Sequence, residues 1–465
     1  MRDTGWYEIL KDRMRRTADE LRATLRPWAV SGAVWTPEEQ GYTGTGIATA
    51  AIQAAIDRAA EAGGGTVLLQ SGDYVSGTLV MRSRVRLRIG GGARLLASTD
   101  LGDYPPHHAR RLTVQDTSMG MHQSLIFAEG CEDIAFEGPG VIDGRGTPDN
   151  FPGDETQQGT PGRPFVLRVI DCRRVHVCGM TLRNSPCWMQ NYLNCEDLLI
   201  ERVTVRNHAN YNNDGFDIDG CRRVWMRQCS VHSGDDALCF KGAGQAETRA
   251  VLVEDCEFLS ACNAVKIGTD TQGDFRDIWV RNCRIGGLSE DPSGLKHAGC
   301  DSAVSLEMMD GGTVEDILVT GMTVERAFSP FFMRLEKRGR VKPGDPDPGI
   351  GTLRRAALAE ITAADCGPRG SYFIGIPEKA IEDVLLKDIT VSQIASGKPV
   401  LDEDSVDEMI SVYPDAHMID GLGDAPAYGL WARHVHGLRL ENYRVRPLTP
   451  DPRPAFVCRT DVTEG

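Results

Sequence analysis

Three aspartates, Asp214, Asp235 and Asp236, stand beside glycine and asparagine in the stretches Asn212-Asn213-Asp214-Gly215-Phe216-Asp217 and Ser233-Gly234-Asp235-Asp236. Carboxyl groups brought close together repel, so at least one keeps its proton at neutral pH beside a neighbour that has lost its own. A protonated acid next to an ionised base is what hydrolysis of a glycosidic bond needs. Each aspartate taken alone reads equally well as a corner residue that bonds its own backbone. Chemistry therefore depends on whether the chain brings the three to one face.

The elements that could do so form a repeat. From residue 131 a pattern V-x-V-x-x-x-x-V recurs at Ile134-Ala135-Phe136, Val175-His176-Val177, Leu198-Leu199-Ile200, Val224-Trp225-Met226, Val251-Leu252-Val253 and Ile278-Trp279-Val280, with later starts at Ile317, Val384 and Leu438. Five residues after a start lie Val203, Cys229, Cys256, Cys283, Met322 and Ile389, an internal apolar ladder. A period of about 20 to 50 residues made of strand alone marks a solenoid. The expected fold is all-β: a right-handed parallel β-helix with a short N-terminal helical extension and a capping helix. The wide gaps between later starts are read as insertions, and the Gly/Pro-rich pieces 291–299 and 338–352 as loops that wall a binding face.

A second strand of each rung aligns through its inward pairs Phe216/Ile218, Leu238/Phe240, Val265/Ile267 and Val304/Leu306. Two places before each pair come Asp214, Asp236, Asn263 and Ser302. Neighbouring strands lie ~4.8 Å apart, so Asp214 and Asp236 should stack on adjacent rungs with Asp235 beside them. Because side chains alternate along a strand, Asp217, Cys239, Lys266 and Ser305 share one outward column, and Asp219, Lys241, Gly268 and Glu307 the next. Such columns are commonly solvated charge ladders; here Lys241 and Lys266 could instead hold an acidic sugar.

Elsewhere the chain reads as scaffold. Residues 6–25 have helical spacing of apolar groups (Trp6, Ile9, Leu10, Met14, Ala18, Leu21), forming a helix that could pack on the body or join two subunits. Residues 47–62 form a second helix, stopped by Gly63-Gly64-Gly65. These glycines precede a strand, the reverse of the order a phosphate loop requires. The division expected is 1–40 extension, 41–450 catalytic solenoid and 451–465 tail. A net charge of -15 argues against nucleic acid or an anionic membrane as partner. No apolar run reaches membrane-spanning length or the form of a secretory signal. The fourteen cysteines sit singly in strand patterns and never as C-x-x-C, which suits buried thiols in a cytoplasmic protein and no zinc. His208, His232 and His297 lack partners at metal spacing, and no metal or cofactor is expected.

At these residues the chain resembles glycoside hydrolase family 28, the polygalacturonases and their relatives, over most of residues 41–445. Asn212-Asn213-Asp214 is similar to the family's Asn-Thr-Asp, and Asp235-Asp236 to its Asp-Asp. Gly140-Val141-Ile142-Asp143-Gly144 and Asn184-Ser185-Pro186-Cys187-Trp188 extend the likeness. The resemblance implies that Asp235 is the general acid and that Asp214 and Asp236 activate water in an inverting displacement, without a metal. Two departures stand out: the family's Gly-His-Gly is Cys262-Asn263-Ala264 here, and its carboxylate-gripping Arg-Ile-Lys is Ser305-Leu306-Glu307. Glu307 would repel a uronate, so the expectation is an exo-acting hydrolase of pectin-derived or related acidic oligosaccharides with an altered sugar at the cleavage subsites. Asn212, Lys241, Asn263, Lys266, Glu307 and Arg334 are the expected sugar contacts. A β-helix lyase, for which Asp217 and Asp219 could be misread as calcium ligands, an intramolecular glycosyl or fructosyl transferase and a non-catalytic carbohydrate-binding β-helix are the alternatives.

Overall fold

The computed structural model describes residues 5–27, 32–153, 161–244, 246–395, 397–406, 408, 414–459 and 461–464. Its body is a right-handed parallel β-helix in which every rung hydrogen-bonds to the next in parallel register. One rung shows the plan. The strand Arg222–Arg227 turns into Ser230–Ser233, which turns into Leu238–Lys241, and each stacks on its counterpart in the rungs before and after. Among the described residues, twelve strands build the face that includes Leu238–Lys241; the other two faces merge because long strands such as Ile381–Gln393 bend round the corner between them.

The repeat starts are in register as their spacing requires. Ile134, Val175, Leu198, Val224, Val251, Ile278 and Ile317 pair in one continuous ladder and are buried in the central core. The residue before each start turns the corner in the left-handed region, with φ of 57° at Asp133 and Asp197, 58° at Arg223 and Asp316 and 55° at Asp277. Asp and Asn tolerate that conformation better than most side chains. Cys229, Cys256 and Cys283 stack in the core as expected, and all fourteen cysteines are free thiols.

One rung escaped the sequence pattern. Within the interval from Ile317 to Val384, Thr352–Cys366 and Ser371–Ile374 form a complete turn in which Ala356 pairs with both Ile317 and Val384. Its Ala356-Ala357-Leu358 carries too little side chain to register as V-x-V, so only residues 336–351 of that interval are an excursion. The sheets also pass both expected boundaries. Val34–Trp35 pairs with Thr66 and Val67, and Phe456–Cys458 and Val462–Glu464 add strands at the far end.

Helix α1 (Gly5–Thr24) lies along the outside of the solenoid. It buries Tyr7, Leu10, Met14, Ala18 and Leu21 against Leu199, Trp225, Leu252, Trp279, Leu318 and Leu385. Those body residues are the middle positions of the V-x-V repeats, which alternation points outward. Arg13 bridges Asp277 (2.8 Å) and Asp316 (2.7 Å), and Arg22 reaches Glu254 (2.5 Å). The apolar stripe that could have joined subunits is therefore covered within the chain, and of the residues assigned to it Ile9 alone points to solvent, 65% exposed. Helix α2 (Thr49–Glu61) closes the N-terminal end of the core with Ile52, Ala55, Ile56 and Ala59, removing an open strand edge.

Candidate active site

Register places the three aspartates. Phe216 pairs with Leu238 and Ile218 with Phe240, and these pair onward with Val265, Ile267, Val304 and Leu306. Asp214 and Asp236 consequently occupy one slot on consecutive rungs, and the amide of Gly215 donates to the carbonyl of Asp236 at 2.8 Å. Glycine is required at 215: a Cβ there would sit 2.4 Å from Val231 and 2.5 Å from the Ala237 carbonyl. Asn207 fixes the approach by donating to the carbonyls of Asp214 (2.8 Å) and Cys187 (3.1 Å). Asn213 ties the same corner to Ser185 (2.9 Å) and Cys187 (3.0 Å). Arg163 donates to the carbonyl of Tyr211 and the side chain of Asn212, each at 2.8 Å.

The aspartates lie at the floor of a cavity of about 900 Å³. Four separate excursions from the solenoid wall it: residues 107–123 with Met119 and Met121, 288–300 with Leu295 to His297, 336–351 with Arg340, and 394–429 with Asp415, His417 and Asp420. Helix α3 (Val114–Ser118) supports the first wall through a capping box between Thr113 and Asp116. Trp188 offers an aromatic face, with the Lys241 ammonium 4.3 Å from its ring centre.

The outward columns are not the solvated ladders that charge patterns usually form. Asp217, Asp219, Cys239, Lys241, Lys266, Ser305 and Glu307 are all buried beneath these walls. Lys241 lies 3.4 Å from Asp217 and 3.7 Å from Asp214. Lys266 lies 2.8 Å from Asp415, 3.4 Å from Asp236 and 3.5 Å from Glu307. Asn263 donates to Asp236 at 2.7 Å and to Asp415 at 3.2 Å while accepting from Ser302 at 2.6 Å.

Burial, reinforced by the charge of Asp236, raises Asp235 to about 6. Burial also raises Asp217 to about 8 against the pull of Lys241, so this carboxyl is largely neutral at pH 7. Asp214 rises through burial and then through Asp217 and Asp235. Asp415 moves the other way: Lys266 and His417 outweigh its burial and hold it ionised. The floor thus combines proton-bearing and ionised carboxyl groups within a few ångströms, with carboxylate oxygens of Asp235 and Asp236 and the Cys262 thiol all within 4.8 Å of one another. Acid and base catalysis on one bond is what such a set can do.

Asp214, Asp235, Asp236, Asn212, Lys241 and Lys266 line the cavity as the sequence led one to expect. Three other expected sugar contacts do not. Asn263 and Glu307 are fully buried behind Asp236 and Lys266, and Arg334 is sequestered with Glu336. Column position reveals which way a side chain leaves the strand but not what covers it. His297, read as bland, lines the cavity, whereas His208 bonds Asp291 at 2.9 Å and His232 bonds Glu257 at 2.8 Å. Arg340, Arg369, Asp415 and His417 were missed, because they arrive on loops without periodicity. The sole hint was the Gly/Pro-rich composition of 338–352.

A family model described as glycosyl hydrolases family 28 matches residues 107–295. A probable polygalacturonase of Vitis vinifera is 24% identical over 355 residues, 73% of this chain and 69% of that protein. A probable exopolygalacturonase X of Aspergillus terreus is 25% identical over 300 residues, 61% of this chain and 65% of that protein. Among solved structures, an exopolygalacturonase from Thermotoga maritima superposes with a TM-score of 0.72 at 18% identity, over 93% of this chain and 96% of that one. The polygalacturonase of Erwinia carotovora gives 0.58 at 17% identity, over 79% and 94%. Both share the β-helix.

Proposed function

We propose that this chain is a glycosidase of the family 28 type, which its family match and its polygalacturonase relatives support, and that it trims pectin-derived or related acidic oligosaccharides from one end with inversion at the anomeric carbon. The observation that carries this reading is the stacking of Asp214 on Asp236, with Asp235 adjacent, at the floor of a walled cavity. Asp235, raised to about 6, protonates the departing glycosidic oxygen. Asp214, which keeps its proton most readily, orients a water on the opposite side of the sugar, and Asp236 takes the proton of that water. Trp188 supplies a face for the ring.

Walls on several sides support an end-acting mode, since an internal stretch of polymer needs a groove open at both ends. The names of fungal exopolygalacturonases among the relatives point the same way. The free cysteines support a reducing cytoplasmic setting in which short fragments are the accessible substrate. Against the lyase alternative, the Lys241 ammonium stands 3.4 Å from Asp217, a positive charge where a calcium ion would have to bind.

The test is product chromatography on pectin-derived and other oligosaccharides, with Asp235→Asn as control and proton NMR of the first-formed anomer. Release of one terminal unit at a time, inverted and abolished in the variant, is the expected result. Early intermediate-length products would exclude the exo mode, a retained anomer the inverting one. Absorbance from a new double bond would mean elimination instead.

A further inference from the structure

The charges at the cavity floor go further than the glycosidase reading on which they rest. Lys241 and Lys266 are the two cations beside the three aspartates, and neither is available to a substrate carboxylate. Lys241 faces Asp214 and Asp217. Lys266 is contacted by Asp236, Glu307 and Asp415, the last at the shortest distance, 2.8 Å. Two ammonium groups thus stand among six carboxyl groups once Asp235 is included. The two rim arginines are paired within the chain, and Lys296 lines the cavity as a further cation. Arg340 bonds Asp270 at 3.0 Å, and Arg369 bonds Asp301 at 2.8 Å and Asp420 at 2.5 Å.

Asp415 differs from the other carboxyl groups at the floor in where it comes from. It sits 149 residues from Lys266 in sequence and enters on the 394–429 excursion. Two features fix it there. Its own carboxylate accepts from the amide of Ala416 at 2.8 Å, and the Ala416 carbonyl accepts from the Tyr372 hydroxyl. Ala416, Met418 and Ile419 then pack on Phe332, Tyr372 and Trp431. A buried carboxylate held this firmly behaves as a resident substitute for the acidic group of a sugar.

We propose that Asp415 is a specificity-determining residue: by occupying Lys266 it makes the subsite over Asp214, Asp235 and Asp236 accept a neutral glycosyl unit and reject a uronyl one. Acidic units of the substrate then lie toward the rim, and the bond cleaved is that of a neutral sugar. A uronate at the floor would have to displace Asp415 from Lys266 or crowd against its carboxylate in a small volume, both unfavourable where water is excluded. The Ser305-Leu306-Glu307 segment contributes in the same sense, since Glu307 closes Lys266 from behind.

The experiment uses aryl glycosides matched except at C6, hydroxymethyl against carboxylate, in galacto and gluco configurations and both anomers. Wild-type enzyme should cleave one neutral member with kcat/KM at least tenfold above that of its uronide partner. Asp415→Asn should narrow that ratio at least tenfold by raising activity on the uronide. Adding Lys266→Gln to Asp415→Asn should remove the gain, which a loss of structure alone would not mimic; circular dichroism checks that each variant is folded. A wild-type preference for the uronide, or an unchanged ratio in folded Asp415→Asn, would overturn the assignment. If no pair is cleaved in a manner that depends on Asp235, the glycosidase reading itself fails, and this inference with it.

Discussion

Two outward columns of the same rungs have opposite characters. On one face Leu199, Trp225, Leu252 and Trp279 project under α1; on the other, one face round the solenoid, Asn191, Asp217, Cys239 and Lys266 project under loops. Both columns are buried and both obey the same alternation, so burial is common to them and chemistry is not. A helix with an apolar stripe seals hydrocarbon and adds stability, about 1.5–3 kcal/mol for each large side chain fully buried. Loops bearing charge seal carboxylates and lysines, which costs desolvation and leaves groups with displaced proton affinities ready to react. The solenoid core supports both without change, because its inward ladder is indifferent to what the outward residues are.

Substitutions can separate the two faces. Asp235→Asn should lower kcat by about 10²–10⁴, roughly 2.7–5.4 kcal/mol of barrier, without lowering the thermal midpoint, with the greatest loss on poor leaving groups. A drop in midpoint equal to that of a core variant would mean that the acidic face also holds the fold together. Under α1, Trp279→Ala removes a buried ring whose indole donates to Thr320 at 2.9 Å. A loss of about 3–5 kcal/mol in denaturant unfolding is expected, with specific activity of the folded fraction unchanged.

Acidity should act in opposite directions on the two faces. Asp235 at about 6, Asp219 at about 7 and Asp217 at about 8 are raised from 3.8, chiefly by burial. The folded chain therefore binds protons there that the unfolded chain has released, and stability from this face falls as pH rises from about 4 to 8. Glu254 and Asp316 under α1 are lowered, Arg22, Trp225, Arg355 and Arg13 outweighing burial. Their contribution is present above the ordinary carboxylate range and disappears as pH falls through it. Melting curves should show Asp217→Asn gaining on the wild type at pH 8.5 relative to pH 5, and Glu254→Gln below the wild type at pH 7 but converging with it near pH 3. Parallel shifts in both variants would erase the contrast. The smallest effect belongs to the outer corners, where Arg174 pairs with Asp133 at 2.5 Å in a half-exposed site. Arg174→Ala should change stability by no more than about 1 kcal/mol.

Much of this was legible beforehand. A period-two pattern inside a longer repeat determines which residues share a slot, so Asp214 over Asp236 and Lys266 beside Cys239 followed from counting. The rung at Ala356 was hidden because alanine is too small to mark an inward position. The destination of α1 was written in the leucines and tryptophans at the middle of V-x-V, where a solvent-facing strand would carry polar groups. Asp415 left no trace, since a carboxylate on an irregular excursion acquires its partner only when the loop folds back. Arg334 misled for another reason: it was chosen for its charge without a register, and Glu336, two residues on, takes that charge.

The excursion that carries Asp415 leaves the solenoid after Gln393 and rejoins it at Leu430, with the strands at both exits already paired to their neighbours. On the Asp415 assignment, one determinant of substrate choice sits apart from the catalytic rungs, in a segment that could be exchanged while Asp214, Asp235 and Asp236 stay in place. A lineage built on this scaffold could change diet by replacing one loop, and a protein engineer could follow the same route with a library confined to residues 394–429.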